Sequence, residues 1–373
     1  MTTIEKYDRN IPYNALPHLP LAEYKPDNQV FEKWGYASRA LAELKSNIHR
    51  LPDPGMLVNT ISLQEAKSSS EIENIFTTND ELYRAIAEKV KAEHLDPAVK
   101  EVLHYREALW SGYTNLKNKE AFDMKSIISI YQQVKSTNEG IRSPHSQVVI
   151  RRGNSDLKPG EIVYTPPRGK GIIEQKMDNL LRYLNEQIAE NEDPLMKMVI
   201  AHYQFEAIHP FSDGNGRTGR ILNLLYLVKS NLLSLPVLYL SNYIIRNKDD
   251  YYYHLAGVTQ RGAWKPWILF MLDAIEKTSI NTNQTIDLII DQMEASLAYG
   301  KKELKWYNKE VNEAIFAQPY IKPSIIGDIT GRKSRTTLTA YMKELTRKRI
   351  LSAKQVGKEV FYINNDLVRI LES

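Results

Sequence analysis

The residues whose types could perform chemistry lie together in one stretch, Phe205–Arg220 (FEAIHPFSDGNGRTGR). Gly214, Asn215 and Gly216 allow the backbone to turn with positive φ, so that several N–H groups can converge on an anion. They precede a helix predicted to begin near Arg217, whose free amides and positive dipole end attract phosphate. The stretch therefore predicts a cradle for a polyphosphate.

Four side chains of the same stretch could act on a bound phosphate group. Arg217 and Arg220 are three residues apart on the first helical turn and can donate planar, charge-assisted hydrogen bonds. Asp213 supplies a hard oxygen ligand of the kind that Mg²⁺ uses beside substrate phosphates. His209 can accept a proton from an attacking hydroxyl near neutral pH. An anion cradle, a metal ligand and a base together predict the transfer of a phosphate-bearing group.

Two better-known phosphate motifs are excluded. Gly214–Gly219 satisfies G-x-G-x-x-G, but the preceding residues have helical spacing and no acidic residue follows about twenty positions later. No Lys-Ser/Thr follows the glycines, so the Walker A pattern also fails. Taken one at a time, a helix-end histidine, an N-cap aspartate, a turn of glycines and two solvated arginines would each be ordinary. Their conjunction in twelve positions favours the chemical interpretation.

His209–Arg220 (HPFSDGNGRTGR) resembles the signature HxFx(D/E)GNGRxxR of the Fic family at every specified position. The resemblance implies a helical core that binds ATP with Mg²⁺ or Mn²⁺ and transfers AMP to a hydroxyl side chain of a target protein. His209 would then be the base, and Asp213 would hold the metal. Phe211 would pack the loop into the core.

The resemblance also implies which residues contact the nucleotide. Tyr251–Leu255 (YYYHL) is similar to the family's Tyr-Tyr-x-x-Leu segment near the adenine, although a packed aromatic cluster is the alternative, and the choice between the two tyrosines stays open. Asn223, one turn beyond the motif, is a further expected contact. The implied nucleotide-binding residues are Gly214, Asn215, Gly216, Arg217, Thr218, Gly219, Arg220, Tyr251 and Tyr252.

A β-hairpin is predicted upstream of the motif. The β-branched runs QVVIR (147–151) and EIVYT (161–165) flank a polar loop, and Pro166 and Pro167 close the pattern. In the Fic family, a flap at this position binds the target's backbone as an added strand. We therefore expect a target protein along residues 147–165, with an ordinary surface hairpin as the alternative.

An inhibitory segment is predicted nearer the N-terminus, at the end of a helix expected over 56–75. Ser69–Asn74 (SSEIEN) matches the family's pattern Ser/Thr-x-x-x-Glu-Gly/Asn, with an exposed helix end as the alternative. The resemblance implies that Glu73 pairs with Arg220, so that ATP binds in an unproductive pose. Ser69 would help to seat the helix, Asn74 would end it, and Glu73 could also support removal of AMP.

The C-terminal residues differ in charge from the rest. Residues 301–373 contain 15 Lys+Arg and 8 Asp+Glu, whereas residues 1–300 contain 34 and 37. Three predicted helices followed by a hairpin turning at Gly357-Lys358 resemble a winged helix, whose third helix enters a DNA groove. We therefore consider a DNA partner for 301–373, with protein interaction or dimerisation as the alternative. The expected contacts are Arg332, Lys333, Ser334, Arg335, Thr336 and Thr337.

The whole chain of 373 residues is predicted to be mainly α: a Fic helical core with a hairpin flap, plus a small C-terminal winged helix. The predicted domains are an N-terminal helical region (1–100), a catalytic core (101–295) and the winged helix (301–373). Proline-rich residues 1–30 predict an extended arm.

Composition narrows the class of protein. Since there is no cysteine, disulfides, cysteine-ligated metal sites and a cysteine nucleophile are excluded. No targeting or membrane-spanning pattern is found, which predicts a cytoplasmic protein without a membrane partner. The family resemblance adds a homodimer as an expectation. A DNA-binding regulator with the core as a nucleotide sensor is the alternative function, but a sensor would not need a base at His209.

Overall fold

The computed structural model describes residues 7–21, 24–88, 95–119, 121–152, 160–186, 193–356 and 359–373. Within these residues the chain is mainly helical, with one two-stranded and one three-stranded antiparallel sheet, which confirms the predicted fold class. None of the helices described is both long and apolar enough to cross a membrane. The predicted domain boundaries stay a prediction.

The elements follow one another in this order along the chain. The helices are α1 (Asn28–Asn47), α2 (Met56–Asn59), α3 (Ile61–Ile72), α4 (Asn79–Glu88), α5 (Pro97–Lys119), α6 (Met124–Lys135), α7 (Ile172–Asn185), α8 (Pro194–Ile208), α9 (Asn215–Lys229), α10 (Leu240–Arg246), α11 (Lys248–Arg261), α12 (Trp264–Glu303), α13 (Lys309–Phe316), α14 (Pro323–Thr330), α15 (Arg335–Arg347) and α16 (Asn365–Glu372). The strands are β1 (Ile150–Arg152), β2 (Glu161–Tyr164), β3 (Tyr320–Ile321), β4 (Ser352–Val356) and β5 (Glu359–Ile363).

The chain divides into two compact units, and three helices (α1, α5 and α12) each contribute residues to both. The first unit comprises Met1–Leu41, His104–Pro236 and Leu240–Lys277. The second unit comprises Ala42–Leu103, Val237–Tyr239 and Thr278–Ser373.

The core of the first unit is built around α8. Every residue from Leu195 to Ile208 is buried, as expected for a helix that is covered on all sides. Asp193 caps its start by accepting hydrogen bonds from the backbone of the first turn. A Cβ at Gly219 would lie 2.4 Å from Glu206 Oε1, so glycine is required there for α8 and α9 to pack closely.

The predicted extended arm is present in residues 7–21, which contain no helix and lie against the first unit. Lys176 Nζ donates to Leu16 O at 2.7 Å, and Asn179 bonds both the N–H and the carbonyl of Leu19. Tyr13 N donates to Thr165 O at 3.0 Å, directly after β2. The arm is therefore fixed by side-chain bonds to its backbone rather than by secondary structure of its own.

Two predicted helices have different bounds in the structure. The helix expected over 56–75 is wrong as a single element, because Thr60 (φ −114°, ψ −81°) separates α2 from α3, and α3 ends at Ile72. Thr60 Oγ1 donates to Met56 O at 2.9 Å, and Thr60 O accepts from Leu63 N and Gln64 N at 3.1 and 3.2 Å, so Thr60 ends α2 and caps the start of α3. The sequence also predicts a helix around Asp80–Glu93; α4 (Asn79–Glu88) covers its first part, and residues 89–93 lie outside the described part.

The C-terminal part of the second unit has the connectivity of a winged helix. Helix α13 is followed by β3, α14, α15 and the strand pair β4–β5, and the strand order is β3-β5-β4. The sequence did not predict the two-residue β3 or α16. The predicted turn Gly357-Lys358 lies outside the described residues. The three-stranded sheet confirms the winged-helix prediction.

Helix α4 joins this C-terminal sheet to the rest of the second unit. The hydroxyl of Tyr320 in β3 donates to Asp80, and Lys354 Nζ in β4 lies 2.7 Å from the same carboxylate. Asn79 Nδ2 donates to Glu372 Oε1 at 2.8 Å. The start of α4 is thus held by three C-terminal elements.

Candidate active site

The motif loop connects α8 to α9 in the first unit. His209 is the C-cap of α8 with φ 50°, and its N–H donates to Phe205 O at 3.0 Å. Positive φ is uncommon for a residue other than glycine, and such strained positions are frequent at functional sites. Gly214 is the N-cap of α9 with φ 72°, and a Cβ there would lie 2.9 Å from Lys135 Cγ. Glycine therefore suits position 214. Positive φ was expected at Asn215 and Gly216 as well, and this is wrong, because α9 begins at Asn215, earlier than the predicted start near Arg217.

Asn215 holds the shape of this loop with its side chain. Its Oδ1 accepts from Phe211 N and its Nδ2 donates to Phe211 O, each at 2.9 Å. The Phe211 ring is fully buried and stacks on Tyr131 with ring centroids 4.0 Å apart. The predicted packing role of Phe211 is therefore visible, and the amide of Asn215 is engaged inside the loop, which leaves its backbone N–H for a ligand.

The two arginines of the motif are buried, not solvated. Arg217 and Arg220 lie on the first turns of α9, and each side chain is 1% exposed. A buried guanidinium is costly unless its charge is compensated, so these two positions are fixed before any ligand arrives. The alternative of two solvated arginines on a helix surface does not agree with this burial.

Asp213 is the acidic group of the loop. Lys135 Nζ in α6 lies 2.7 Å from Asp213 Oδ2, and Gly214 N donates to Oδ1 at 2.6 Å. Partial burial acts to raise the pKa of Asp213, but these two hydrogen bonds outweigh it and hold the pKa below its usual range. The carboxylate is therefore ionised at neutral pH.

Three further residues predicted to bind the nucleotide differ in their exposure. Thr218 is fully buried, and its Oγ1 donates to Gly214 O at 2.9 Å. Gly219 faces α8, as described above, whereas Gly216 is half-buried at the start of α9. The backbone of Gly216 is thus the more accessible of the two glycines.

The two candidate adenine tyrosines point to different environments. Tyr251 is 1% exposed, and its hydroxyl lies 2.9 Å from His202 Nε2. Tyr252 is 41% exposed. Burial and the charge of Arg220 lower the pKa of His202 to about 3, so this histidine is neutral and structural. The sequence did not single out His202.

The predicted hairpin is present, with shorter strands than expected. β1 pairs with β2 in antiparallel register, from Ile150↔Tyr164 to Arg152↔Glu161, and residues 153–159 of the loop lie outside the described part. Beyond β2 lies the N-terminal arm, since Tyr7 OH donates to Val163 O and Tyr13 N donates to Thr165 O. The arm therefore follows β2 on the side away from β1.

The predicted inhibitory segment lies in the second unit. Ser69 is fully buried in α3, and Glu73 is its C-cap. Asn74 has φ 62° and donates its N–H to Glu71 O at 3.0 Å. Because asparagine and glycine tolerate this left-handed conformation at a helix C-terminus, the local structure explains the last position of the pattern Ser/Thr-x-x-x-Glu-Gly/Asn.

The basic face predicted in the winged helix is exposed. The side chains of Arg332, Lys333, Ser334, Arg335 and Thr336 are all exposed, and Thr337 is half-buried. On the opposite face of α15, Tyr341 stacks on Trp306 with centroids 4.0 Å apart. The helix therefore packs with one face and presents the other.

Two residues near the motif were missed by sequence reasoning. Lys135 approaches Asp213 from α6, and the guanidinium of Arg142 bonds the carbonyl of His209 at 2.7 Å. Neither residue belongs to a local pattern, because both reach the loop across more than sixty positions of sequence. Neither Gly140, two residues before Arg142, nor the hairpin that follows indicates that Arg142 contacts the motif loop.

Family models match three successive parts of the chain. The model described as Fic/DOC family N-terminal matches residues 31–114, and the model Fic/DOC family matches residues 121–227. Residues 292–367 match the model of the protein adenylyltransferase SoFic-like C-terminal domain.

Curated relatives align with a smaller part. The protein adenylyltransferase Fic of Drosophila ananassae is 31% identical over 158 residues, which are 40% of this chain and 30% of that protein. The protein of the same name from Drosophila grimshawi is 30% identical over 158 residues, which are 40% of this chain and 31% of that protein. The match thus spans less than a third of either relative's length.

Solved structures share the fold. A Fic family protein from Desulfovibrio desulfuricans G20 superimposes with a TM-score of 0.56 at 19% identity, over 91% of this chain and 97% of that chain. Fic-1 from C. elegans gives a TM-score of 0.52 at 18% identity, over 69% of this chain and 72% of that chain. The three matched family models, the intact motif loop and the shared fold establish that this chain belongs to the Fic family.

Proposed function

We propose that the chain is a protein adenylyltransferase, which transfers AMP from ATP to a hydroxyl side chain of a target protein. The observation that carries the proposal is the motif: the loop between α8 and α9 holds the candidate base and an ionised carboxylate, and the first turns of α9 carry two buried arginines. The names of the curated relatives agree with this activity.

In this reaction His209 accepts the proton of the target's hydroxyl group. The hydroxyl oxygen bonds to the α-phosphorus of ATP while the bond from that phosphorus to the bridging oxygen breaks, and pyrophosphate leaves. The N–H groups at the start of α9 and the guanidinium groups of Arg217 and Arg220 stabilise the phosphate charge. Since these groups are held in place beforehand, they cost little reorganisation when the charge develops.

The residues present suit a metal that arrives with ATP. Among the described residues there is no group of three or more His, Asp or Glu side chains that could hold a metal on its own. Mg²⁺ at phosphate sites commonly takes one or two carboxylates and completes its shell with phosphate and water. The ionised Asp213 provides such a carboxylate for Mg²⁺ or Mn²⁺, and the bound ion would neutralise phosphate charge.

For the adenine, Tyr252 is the better candidate of the two tyrosines because Tyr251 is buried and bonded to His202. Asn223 adds a second candidate contact. Its side chain is 3% exposed, and its Nδ2 has no hydrogen-bond partner within the residues described. A buried amide donor of this kind is costly unless a ligand accepts its hydrogen bond.

The target protein binds along the hairpin. Because the N-terminal arm follows the outer side of β2, the outer edge of β1 is the side on which an extended target segment would add as a strand. The segment would then run past Ile150 to Arg152.

Glu73 restrains the activity in this proposal. The support comes from the pattern of Ser69, Glu73 and Asn74: Ser69 is buried in α3, Glu73 is the C-cap of that helix, and Asn74 follows it. Removal of AMP by the same carboxylate is the second activity that this position allows.

The experiment incubates the full chain with α-labelled ATP and cell lysate, followed by mass spectrometry for AMP adducts. We expect Glu73→Gly to raise labelling and His209→Ala to abolish it. Glu71→Gly and His145→Ala are the matched controls, since Glu71 pairs with Lys67 and His145 is exposed outside the motif. Equal labelling by wild type and Glu73→Gly contradicts inhibition, and labelling that survives His209→Ala contradicts the assigned base.

A second candidate function, DNA binding, is favoured by the exposed basic face of α15. Within the described residues, Arg332, Lys333 and Arg335 form no ion pair, and Lys343 and Arg347 extend the same exposed face. Unpaired basic side chains on a winged helix are suited to phosphate contacts. A gel shift with the full chain at low salt tests this function, and no shift with any DNA would favour a protein-interaction role.

Two expectations about the whole protein also stay proposals. A homodimer would be detected by light scattering, as a mass of about twice the 43.0 kDa of the chain. A cytoplasmic location would be detected by cell fractionation.

A further inference from the structure

Arg142 is a buried arginine that no step of the proposed reaction uses. It is 5% exposed and lies between α6 and β1. Its Nε donates to His209 O at 2.7 Å, and its Nη2 donates to Pro167 O at 2.6 Å and to Ile208 O at 3.3 Å. One planar side chain therefore joins the backbone of the proposed base to the residue that follows the hairpin.

These bonds complete the C-terminus of α8. The last carbonyls of a helix have no partner within the helix. Here Ala207 O accepts from Tyr164 OH at 2.7 Å, while Ile208 O and His209 O accept from Arg142. The donors come from the end of β2 and from the segment before β1, so the hairpin and the helix end share one hydrogen-bond network.

The charge of Arg142 is balanced without a carboxylate. No Asp or Glu forms an ion pair with it among the described residues, and burial lowers its pKa. Arginine nevertheless stays protonated in proteins. The negative end of the α8 dipole and three carbonyl oxygens compensate the charge, which explains why a cation is stable at this position.

We propose that Arg142 is a positioning residue for His209 and for the target-binding hairpin, a role that rests on the AMP transfer proposed above. By fixing the carbonyls of Ile208 and His209, it keeps His209 in the left-handed conformation that aims the imidazole. By fixing Pro167 O, it holds the foot of the hairpin at the same site. Arg142 thereby fixes the position of the base relative to the hairpin that binds the target.

A second consequence follows from the charge. A cation bonded to the carbonyl of His209 disfavours protonation of the imidazole of the same residue, since like charges repel. We therefore expect removal of this charge to raise the pKa of His209. Lysine would keep this charge but not the planar fork that reaches three carbonyls. Arg142→Lys therefore separates the effect of the charge from the effect of the hydrogen bonds.

The test compares Arg142→Gln and Arg142→Lys in the full chain that also carries Glu73→Gly. Arg39→Gln is the matched control, because exposed Arg39 donates to Gly35 O within its own helix. The readouts are kcat and the KM for the target, the Kd for ATP, the unfolding temperature, and the pKa of His209 followed by NMR with labelled histidine. The NMR signal is assigned with His209→Ala.

For Arg142→Gln we expect kcat to fall about 10²-fold, as small misplacements of a base can cause. The KM for the target rises and the Kd for ATP stays within about twofold, because α9 keeps its own contacts and the bond from Arg142 N to Pro210 O is made by the backbone. The pKa of His209 rises in Arg142→Gln but not in Arg142→Lys, whose kcat falls less. The control behaves like the parent.

The proposal is overturned if kcat stays within about threefold of the parent, or if the pKa of His209 is unchanged in Arg142→Gln. Where Arg142→Gln unfolds below the assay temperature, the kcat of Arg142→Lys is compared with that of the parent by the same threefold criterion, at a temperature at which Arg142→Lys is folded. Failure of the AMP transfer itself is distinguishable: the parent then shows no adduct, while the NMR titration still reports whether Arg142 acts on His209.

Discussion

Two regions of the molecule that we propose to bind polyanions differ in the burial of their arginines. At the start of α9, Arg217 and Arg220 are each 1% exposed and follow the loop that ends at Gly214. At the start of α15, Arg332, Lys333 and Arg335 are exposed and form no ion pair in the described part of the chain. Both regions are rich in arginine and begin a helix, yet the first is a closed cradle and the second is an open surface.

The difference shows what burial does to an arginine. A buried guanidinium has already lost its side-chain freedom and its hydration during folding, so it meets a ligand in one geometry. An exposed guanidinium keeps its freedom and is screened by salt, so it binds any phosphate backbone with modest selectivity. The first region is therefore suited to chemistry and the second to attachment.

The largest expected effect comes from a matched pair of lysine substitutions. Arg220→Lys should lower AMP transfer by about 10²-fold or more, because lysine cannot reproduce the planar fork in the buried cradle. Arg335→Lys should leave both AMP transfer and DNA binding nearly unchanged, because a solvated cation is replaced by another. Measured kcat and gel shifts of the two full-length variants test this. Equal losses in both variants would contradict the difference between the buried and the exposed arginine.

Ligand binding at the two regions should also differ in its dependence on salt. If about six phosphates are contacted, raising the salt concentration from 50 to 200 mM should weaken DNA binding about 10³-fold. ATP binding should weaken much less, because its arginines are buried and poorly screened. Titrations of both ligands across the same salt series measure this difference. An ATP affinity that falls as steeply as the DNA affinity would contradict it.

A smaller effect is expected from Lys135→Gln. Removing this ammonium, which lies 2.7 Å from Asp213, should tighten Mn²⁺ binding about fivefold, as expected for a unit charge at about 4 Å in water. The measurement is a Mn²⁺ titration followed by EPR in the presence of a non-hydrolysable ATP analogue. Lys125→Gln, an exposed lysine on the same helix, is the control. Equal Mn²⁺ affinities in the two variants would contradict a competition between Lys135 and the metal.

The smallest effect concerns pH. The pKa of Asp213 is lower in the folded chain than its usual value, so this group adds stability above the unfolded pKa of about 3.9 that is lost as pH falls through the folded pKa. Lys135→Gln removes a cause of the shift, so the unfolding temperature should depend less steeply on pH below about 4. Because the Asp213 side chain is 69% exposed, a difference of about 2 °C at most is expected. A thermal unfolding series against pH measures it.

Sequence reasoning was most effective where a residue type is required by local backbone geometry. The glycine at 214 and the asparagine at 74 both have positive φ, and the sequence pattern identified both positions. It was least effective where contacts join distant segments. Arg142 reaches His209 across 67 positions, and no local pattern indicates which loop a basic residue will contact.

Contacts between distant segments also limit the prediction of helices and strands. The three helices predicted in the C-terminal part are present as α13, α14 and α15, whereas nothing in the pattern of residues 56–75 indicated the break at Thr60. Strand β3 has only two residues, and it exists because β5 pairs with it, as Tyr320↔Ile363 and Ile321↔Tyr362. Short elements of this kind are specified by their partners and not by their own composition.

The bonds between α4 and the C-terminal sheet affect how shortened chains should be designed. A chain cut at residue 300 would lose Tyr320 and Lys354, which bond Asp80 from the C-terminal sheet, and would leave Asp80 with its pairing to Arg84 inside α4. The cut would also uncover the ring of Tyr83, which lies 5.7 Å from that of Tyr320. Helix α4 begins only five residues after Asn74, so such a deletion would disturb the neighbourhood of Glu73 as well as remove the basic face. Point substitutions on the exposed face of α15 keep these bonds and therefore test the proposed DNA binding by itself.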